Sequence, residues 1–374
     1  MKTIVDFETF YSKKDGVSTA IQGVDNYVAA TDAYCVSIVD DETEFCGTIA
    51  QAREAGFTDA FFSDPRREFW AANSNFDRAW AAKYWTFPHD KEWQCILDVG
   101  VGNQLPRDLA NLARVALGVK VDKTLRDSMD GVRFEELTED RQQQIIDYCL
   151  NDSVQERAVL AALPALSPVE ARVAAHTRLV NRRGVAIDTE RVRADLTRLH
   201  EIRHRAFKAI PWHHTDKPLS YKAMGRWCEL NGVEMPASLD KRDDDCAEMM
   251  SNDPRLKKVI EDTRAYRNSN TSIEKATSLL DRVTPAGRLP LDLLYCGAPH
   301  TRRWSSQGVN VQNLAKEPTF LEKVFDDYGG LDLARSNYVW AREWLVPSAG
   351  KKFLILDFSQ IEPRCLNWLA GNDE

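Results

Sequence analysis

The chain has 374 residues, 43% of them hydrophobic and 28% charged, with a formal net charge of −8. That length admits two or three globular domains, and the acidity argues against a protein that holds nucleic acid by bulk charge. No apolar run approaches a membrane span, the N-terminus lacks the basic-then-apolar form of a signal peptide, and eight cysteines without a C-x-x-C pair point to reduced thiols in a cytoplasm rather than a disulfide frame or a zinc knuckle.

Charge is unevenly placed: residues 1–165 hold 17 Lys and Arg against 28 Asp and Glu, and residues 166–374 hold 32 against 29. An acidic first segment suited to metals precedes one whose local basic stripes suit a polyanion. Residues 3–9 read as a strand. Side chains alternate along a strand, so Asp6 and Glu8 share one face and Val5 and Phe7 the other. Adjacent carboxylates repel unless cations offset them. An all-oxygen ligand set selects a hard divalent ion, magnesium or manganese. Taken alone, Asp-x-Glu is a weak motif and is better read as an edge strand with two solvated acids. Residues 33–39 and 44–49 are β-prone and predict a meander with the first strand. After Asn73-Ser74-Asn75-Phe76-Asp77, a helix places Phe76, Trp80 and Tyr84 on one face. A second helix is predicted over 106–117, with Pro106 at its start and Gly118 past its end. A third runs over about 139–163, its acidic first turn suiting the helix dipole. On it Tyr148 and Asp152 are four apart and share a face, with Ile145 and Cys149 on an adjacent buried one.

Residues 167–285 read as mostly helical. Helices are predicted from Pro168 to about 180, over 189–209 with Thr189 as N-cap, near 220–230 and over 254–280, with a turn and short strand at 181–188. The last helix carries Lys257, Lys258, Arg264, Arg267 and Lys275 among Asn268, Asn270 and Thr271, a mixture that suits phosphate contacts and a solvated face equally. His200-Glu201-Ile202-Arg203-His204 matches the H-E-x-x-H signature of zinc peptidases. Its neighbours Arg198, Arg205 and Lys208 mark a solvated face instead, and no third ligand is apparent. Residues 291–295 are strand-like, and 353–357 predict an apolar strand ending in an acid and turning into a helix.

Asp6-x-Glu8, then Asn73-x-x-Phe76-Asp77, then Tyr148-x-x-x-Asp152 form an ordered set. The set closely resembles the three motifs of proofreading 3′–5′ exonucleases of the DEDDy type. The resemblance covers about residues 1–165 and implies a ribonuclease H-like α/β domain, a mixed central sheet with flanking helices. It implies that Asp6, Glu8, Asp77 and Asp152 hold two Mg2+ (or Mn2+) ions and that Tyr148 orients the attacking water. Two such ions clamp the attacking and leaving oxygens of a phosphodiester. Phe7 and Phe76 read as core rather than base-stacking residues.

Thr301-Arg302-Arg303-Trp304-Ser305, followed by Gln312-Asn313, resembles the family A DNA polymerase segment that opens the palm, T-G-R-x-S and then Q-N. The resemblance implies that Arg303, Ser305, Gln312 and Asn313 touch the primer–template, with Arg302 in place of the usual Gly. Asp357-Phe358-Ser359-Gln360-Ile361-Glu362-Pro363-Arg364 strongly resembles polymerase motif A, D-[YF]-S-Q-I-E-x-R, especially as phage enzymes carry it. By that resemblance Asp357 binds catalytic metals, helped by the Phe358 carbonyl, and Glu362 excludes the ribose 2′-hydroxyl. Pro363 replaces the common Leu, which a first helical turn tolerates.

The expected division is an exonuclease domain over 1–166, a helical thumb over 167–285 and an incomplete α+β palm over 286–374. The fingers helix and the second palm carboxylate do not follow motif A. The expectation is therefore part of a bacteriophage-like family A DNA polymerase acting in replication, in a bacterial or phage-infected cell. Its own activity is metal-dependent 3′–5′ hydrolysis of DNA, at a primer–template or single-stranded 3′ end; either a second polypeptide supplies fingers and motif C, or the chain is a truncated piece of a longer polymerase. The rival expectations are a stand-alone exonuclease and a non-catalytic DNA-binding assembly subunit.

Overall fold

A computed structural model describes residues 1–120, 124–240, 242–316, 319–320, 338–357 and 359–371. In the first segment β1 (Lys2–Thr9) and α1 (Thr19–Ala30) lead to β2 (Ala33–Val39) and β3 (Glu44–Gly47). Next come α2 (Ile49–Glu54), α3 (Asp59–Ser63), β4 (Glu68–Ala71), α4 (Ser74–Tyr84) and β5 (Trp93–Cys95). Four helices complete the segment: α5 (Ile96–Gly102), α6 (Leu109–Leu117), α7 (Thr124–Asp127) and α8 (Glu139–Ala162). The sheet order is β3-β2-β1-β4-β5. β1, β2 and β3 pair antiparallel, as the predicted meander, while β1, β4 and β5 run parallel.

β1 is therefore the central strand, and its register sorts residues between two covered faces. Ile4 faces Val39, Asp6 faces Ser37 and Glu8 faces Cys35. These share the face on which Ile4 and Val39 pack with Val159 and Leu160 of α8. Val5 and Phe7 point the other way, into a core with Val36, Ile38, Phe69 and Trp80. Phe7 is thus core, as expected, and Phe76 packs half-buried at its margin against Tyr27 and Trp80.

Two helices of this segment differ from expectation. Residue pattern did not reveal α1, because Gly23 at φ 71 interrupts it. The helix predicted from 106 begins at Leu109, because the Asp108 carboxylate accepts from the Asn111 amide at 2.9 Å and fixes the cap there. Gly118 does end it, at φ 73.

The second segment comprises α9 (Pro168–Arg183), β6 (Val185–Ile187), α10 (Thr189–Ala209), α11 (Tyr221–Leu230), α12 (Asp244–Asn252) and α13 (Pro254–Arg282). The cap of α10 is Asp188, not Thr189: its carboxylate accepts from the Arg191 amide at 2.9 Å, which a residue already inside the helix cannot do. Val192, Leu199 and Ile202 of α10 pack on Ile273, Ala276 and Leu279 of α13. Among the described residues, no helix is long and apolar enough to cross a membrane.

The remaining elements are short: β7 (Arg288–Leu289), β8 (Leu293–Leu294), β9 (Ser305–Ser306), β10 (Thr319–Phe320), β11 (Tyr338–Val339), β12 (Leu345–Val346) and α14 (Ile361–Leu369). β6 sits between β12 and β7. Trp344 is fully buried beside them, and its Nε1 donates to Asp195 Oδ2 at 2.9 Å. The strand predicted at 291–295 shortens to Leu293–Leu294, paired with Ser305–Ser306. The strand predicted at 353–357 is not formed: Phe353, Leu354, Ile355 and Leu356 are exposed in irregular backbone. An apolar run becomes a strand only beside a hydrogen-bonding neighbour, and no described strand pairs with this one. Phe358 lies outside the described residues.

Candidate active site

Strand parity and two helices bring the first set of acids together. β1 contributes Asp6 and Glu8 from its α8-facing side, and α8 contributes Asp152 from the facing helix. Their carboxylate oxygens lie within 4.8 Å of one another. Asp77 enters from the first turn of α4 and is 2% exposed. It accepts from the Phe7 amide and from its own, and its Oδ1 is buried without a hydrogen-bond partner. Tyr148 is hydrogen-bonded to Asp152 one turn away.

A sixth residue escaped the sequence reading. Glu156 of α8 is 1% exposed, and its Oε2 accepts from the Ala72 amide at 3.1 Å. It follows Asp152 by four, so Tyr148, Asp152 and Glu156 make one stripe along the helix. Extending the 148–152 spacing by one more turn would have found it.

The electrostatics are those of crowded acids. Burial raises the Asp6 carboxyl well above its usual range, and Cys149, Glu156, Asp77 and Glu8 add to the rise in that order. Glu8 is pushed up to about 8 by burial, then by Cys149 and Asp152, against a lowering by Arg126. Burial raises Asp77 despite its two amide donors, and raises Glu156, with Asp77 and Asp152 adding to it. This is a donor set of oxygens only, desolvated and mutually repelling, with one buried carboxylate oxygen unpartnered. Those properties fit a hard divalent cation. Burial, then Asp152 and Glu8, raise the Tyr148 phenol above its ordinary value, so Oη keeps its proton at neutral pH.

The other predicted site residues divide. Arg303 and Glu362 meet, Nη2 to Oε1 at 3.4 Å, both largely exposed. Ser305 lies on β9 opposite Leu294. Gln312 and Asn313 are exposed on a single 3-10 turn, which Lys275 of α13 holds by donating to the Asn313 carbonyl at 2.9 Å. Arg302, standing where the resemblance has Gly, takes the left-handed conformation a Gly favours, at φ 54. Its guanidinium donates to the Gly102 carbonyl at 3.1 Å, a contact Gly could not make. Asp357 is exposed at the end of the unpaired 353–357 run.

On α13, Lys257, Lys258 and Arg267 are exposed, and Lys258 pairs with Asp262 at 3.1 Å. Arg264 instead donates to the carbonyls of Leu239 and Asp240, each at 3.0 Å, and so holds a loop. His200 and His204 are both exposed on α10, with His200 Nδ1 3.1 Å from Arg203 Nη2.

Two likenesses to known proteins bear on this arrangement. A DNA polymerase of Bacillus phage SP02 is 24% identical over 336 residues, 81% of this chain and 51% of that protein. The structure of the POL domain of Pol1 from M. smegmatis, in complex with DNA primer-template and dNTP, matches with a TM-score of 0.53 at 15% identity. That match covers 84% of this chain and 52% of the other. The chain thus spans about half the length of the relatives it matches. No protein-family model matches it. The chain is thus similar in sequence to a phage DNA polymerase, and its mixed α/β fold resembles that of a polymerase domain.

Proposed function

We propose that this polymerase-like chain acts in DNA replication and that its own chemistry is metal-dependent 3′–5′ hydrolysis of DNA. The observation that carries the reading is the convergence of Asp6, Glu8 and Asp152 oxygens within 4.8 Å, with buried Asp77 and Glu156 close enough to repel Asp6. The 3-2-1-4-5 sheet, antiparallel on one side of β1 and parallel on the other, supports a ribonuclease H-like exonuclease domain.

Asp6, Glu8, Asp77 and Asp152 would hold magnesium or manganese. The bound ions would lower the pKa of a water and stabilise the leaving 3′ oxygen. The protein's own part is to keep those carboxylates preorganised. Amides of Phe7 and Asp77 orient the Asp77 carboxylate, and the Ala72 amide orients Glu156. Tyr148, protonated and tied to Asp152, presents a hydroxyl that orients the attacking water.

DNA is the proposed partner. Arg303, Ser305, Gln312 and Asn313 are proposed to touch primer–template, and Lys257, Lys258 and Arg267 offer exposed charge to phosphates. Arg264 acts there through the loop it holds. Asp357 and Glu362 are proposed to serve nucleotide addition, as metal ligand and sugar gate. That reaction needs fingers and motif C from outside the aligned half of the relatives. Neither likeness speaks for a separate polypeptide as their source.

The test is a single-stranded DNA whose 3′-terminal nucleotide is labelled, incubated with the chain and Mg2+. Release of labelled mononucleotide, abolished by EDTA and by the Asp6→Ala/Glu8→Ala double variant, is the expected result. An intact strand under all conditions would overturn the hydrolytic reading and leave the DNA-binding subunit.

A further inference from the structure

Behind the acidic site lies a second cluster that the proposed hydrolysis does not use. β2 carries Cys35 and β3 carries Cys46, whose register partner is Ser37. Cys35 and Ser37 are two apart on β2, so both point to the face that α8 covers. From α8, Cys149 comes down onto that face. The three Sγ atoms lie within 4.8 Å of one another, and their thiols are hydrogen-bonded among themselves. Cys35 and Cys149 are fully buried, and Cys46 is half-buried on the edge strand. A solute can therefore reach the cluster past Cys46.

We propose that Cys35, Cys46 and Cys149 form a thiolate tripod for one thiophilic divalent cation of the zinc and cadmium class. Sulfur ligands select such ions over magnesium. Zinc bonds to thiolate sulfur at about 2.3 Å, so tetrahedral geometry sets sulfurs about 3.8 Å apart, and the tripod need close by only about 1 Å. Binding forms three metal–sulfur bonds and releases to solvent whichever protons the three thiols still hold. Three thiolates and one dication leave a net charge of one minus. Cys46 is already held below the usual thiol range, first by a hydrogen bond from Cys149 and then by one from Cys35. Two oxygen donors lie beside the tripod: Asp6 Oδ2, 3.7 Å from Cys149 Sγ, and the Ser37 hydroxyl, hydrogen-bonded to Cys149.

Buried cysteines commonly act only as small hydrophobes. Cys95, whose thiol donates to the Ala72 carbonyl at 3.0 Å, and Cys228, packed among apolar residues, fit that description. The tripod differs because three separate elements bring sulfur to sulfur. The inference is independent of the hydrolytic reading, since it concerns sulfur and not the carboxylates.

The experiment titrates the full chain with Cd2+ after chelator treatment, in excess Mg2+ so that oxygen sites are occupied. The ultraviolet sulfur-to-cadmium charge-transfer band reports thiolate bonds alone. The expected band saturates at one equivalent, falls to roughly two-thirds or less in Cys46→Ser, as three thiolate ligands become two, and is unchanged in Cys228→Ser. No band at one equivalent, or a band that Cys46→Ser leaves intact, overturns the tripod. Should Cys46→Ser not fold, 113Cd resonance of the wild type decides the matter. A shift typical of three sulfur ligands is expected, and one typical of oxygen ligands overturns the proposal.

Discussion

At the scale of single residues, the site is a set of acids in one another's way. Glu8 has an ordinary value of 4.5 and a folded value of about 8. Between those values the folded chain binds more protons than the unfolded one, so stability falls as pH rises through that window. The metal-free protein should therefore melt lower at pH 8 than at pH 5.5. Glu8→Gln should flatten that dependence, raising the melting temperature at pH 8 by a few degrees. Mg2+ should raise the wild type at pH 8 and not the variant. Thermal melts in EDTA and in Mg2+ check all three outcomes.

Glu156 lies one turn beyond Asp152 and is as buried as Asp77. Glu156→Gln keeps an acceptor for the Ala72 amide and loses the charge. It should weaken apparent Mg2+ affinity by about 10–100-fold, read from the Mg2+ dependence of hydrolysis, with the far-ultraviolet dichroism unchanged. The pair Asp6 and Glu8 was legible because strand parity alone puts them on one face. Glu156 was not, because acids with four-residue spacing on a helix usually face water, and only the fold shows which stripe of α8 meets β1.

Elements are joined by a few buried charges. Arg178 of α9, 4% exposed, donates to Asp98 at 2.6 Å, to Glu92 at 3.1 Å and to Gln94 at 3.0 Å. It thereby ties the helical segment to the end of the sheet. Burial lowers its basicity, but the neighbouring Asp98 and Glu92 more than restore it. Arg178→Met would leave Asp98 buried and short of its closest partner. It should cost about 3–5 kcal/mol, measured by urea unfolding.

Long periodic helices such as α8, α10 and α13 were legible within a few residues, because an apolar stripe persists through them. Their caps were less so. Asp188 and Thr189 are both good capping residues in sequence, and only the backbone decides between them. The expectation at 353–357 failed for a different reason. Its composition is that of a strand, but a strand is a property of two segments, and composition describes one.

For the whole molecule, that run has a consequence. Phe353, Leu354, Ile355 and Leu356, with Trp368 and Leu369 of α14, expose apolar side chains over half or more of their surface. Contiguous exposed apolar surface drives association. Sedimentation should show concentration-dependent self-association of the chain, and Leu354→Lys/Leu356→Lys should shift it toward monomer. A wild type that stays monomeric across micromolar concentrations would contradict this. The thiol cluster illustrates the limit of reading a chain in order. Cys35, Cys46 and Cys149 have no motif spacing, and they meet only because β2, β3 and α8 share one face of the sheet.

The most direct test uses a primer–template labelled at the primer 5′ end, incubated with Mg2+, wild type alongside the Asp6→Ala/Glu8→Ala variant. A ladder of shortened primers from the wild type, absent in EDTA and absent with the variant, is the predicted result. Equal shortening by the variant would contradict the placement of hydrolysis at the β1 acids.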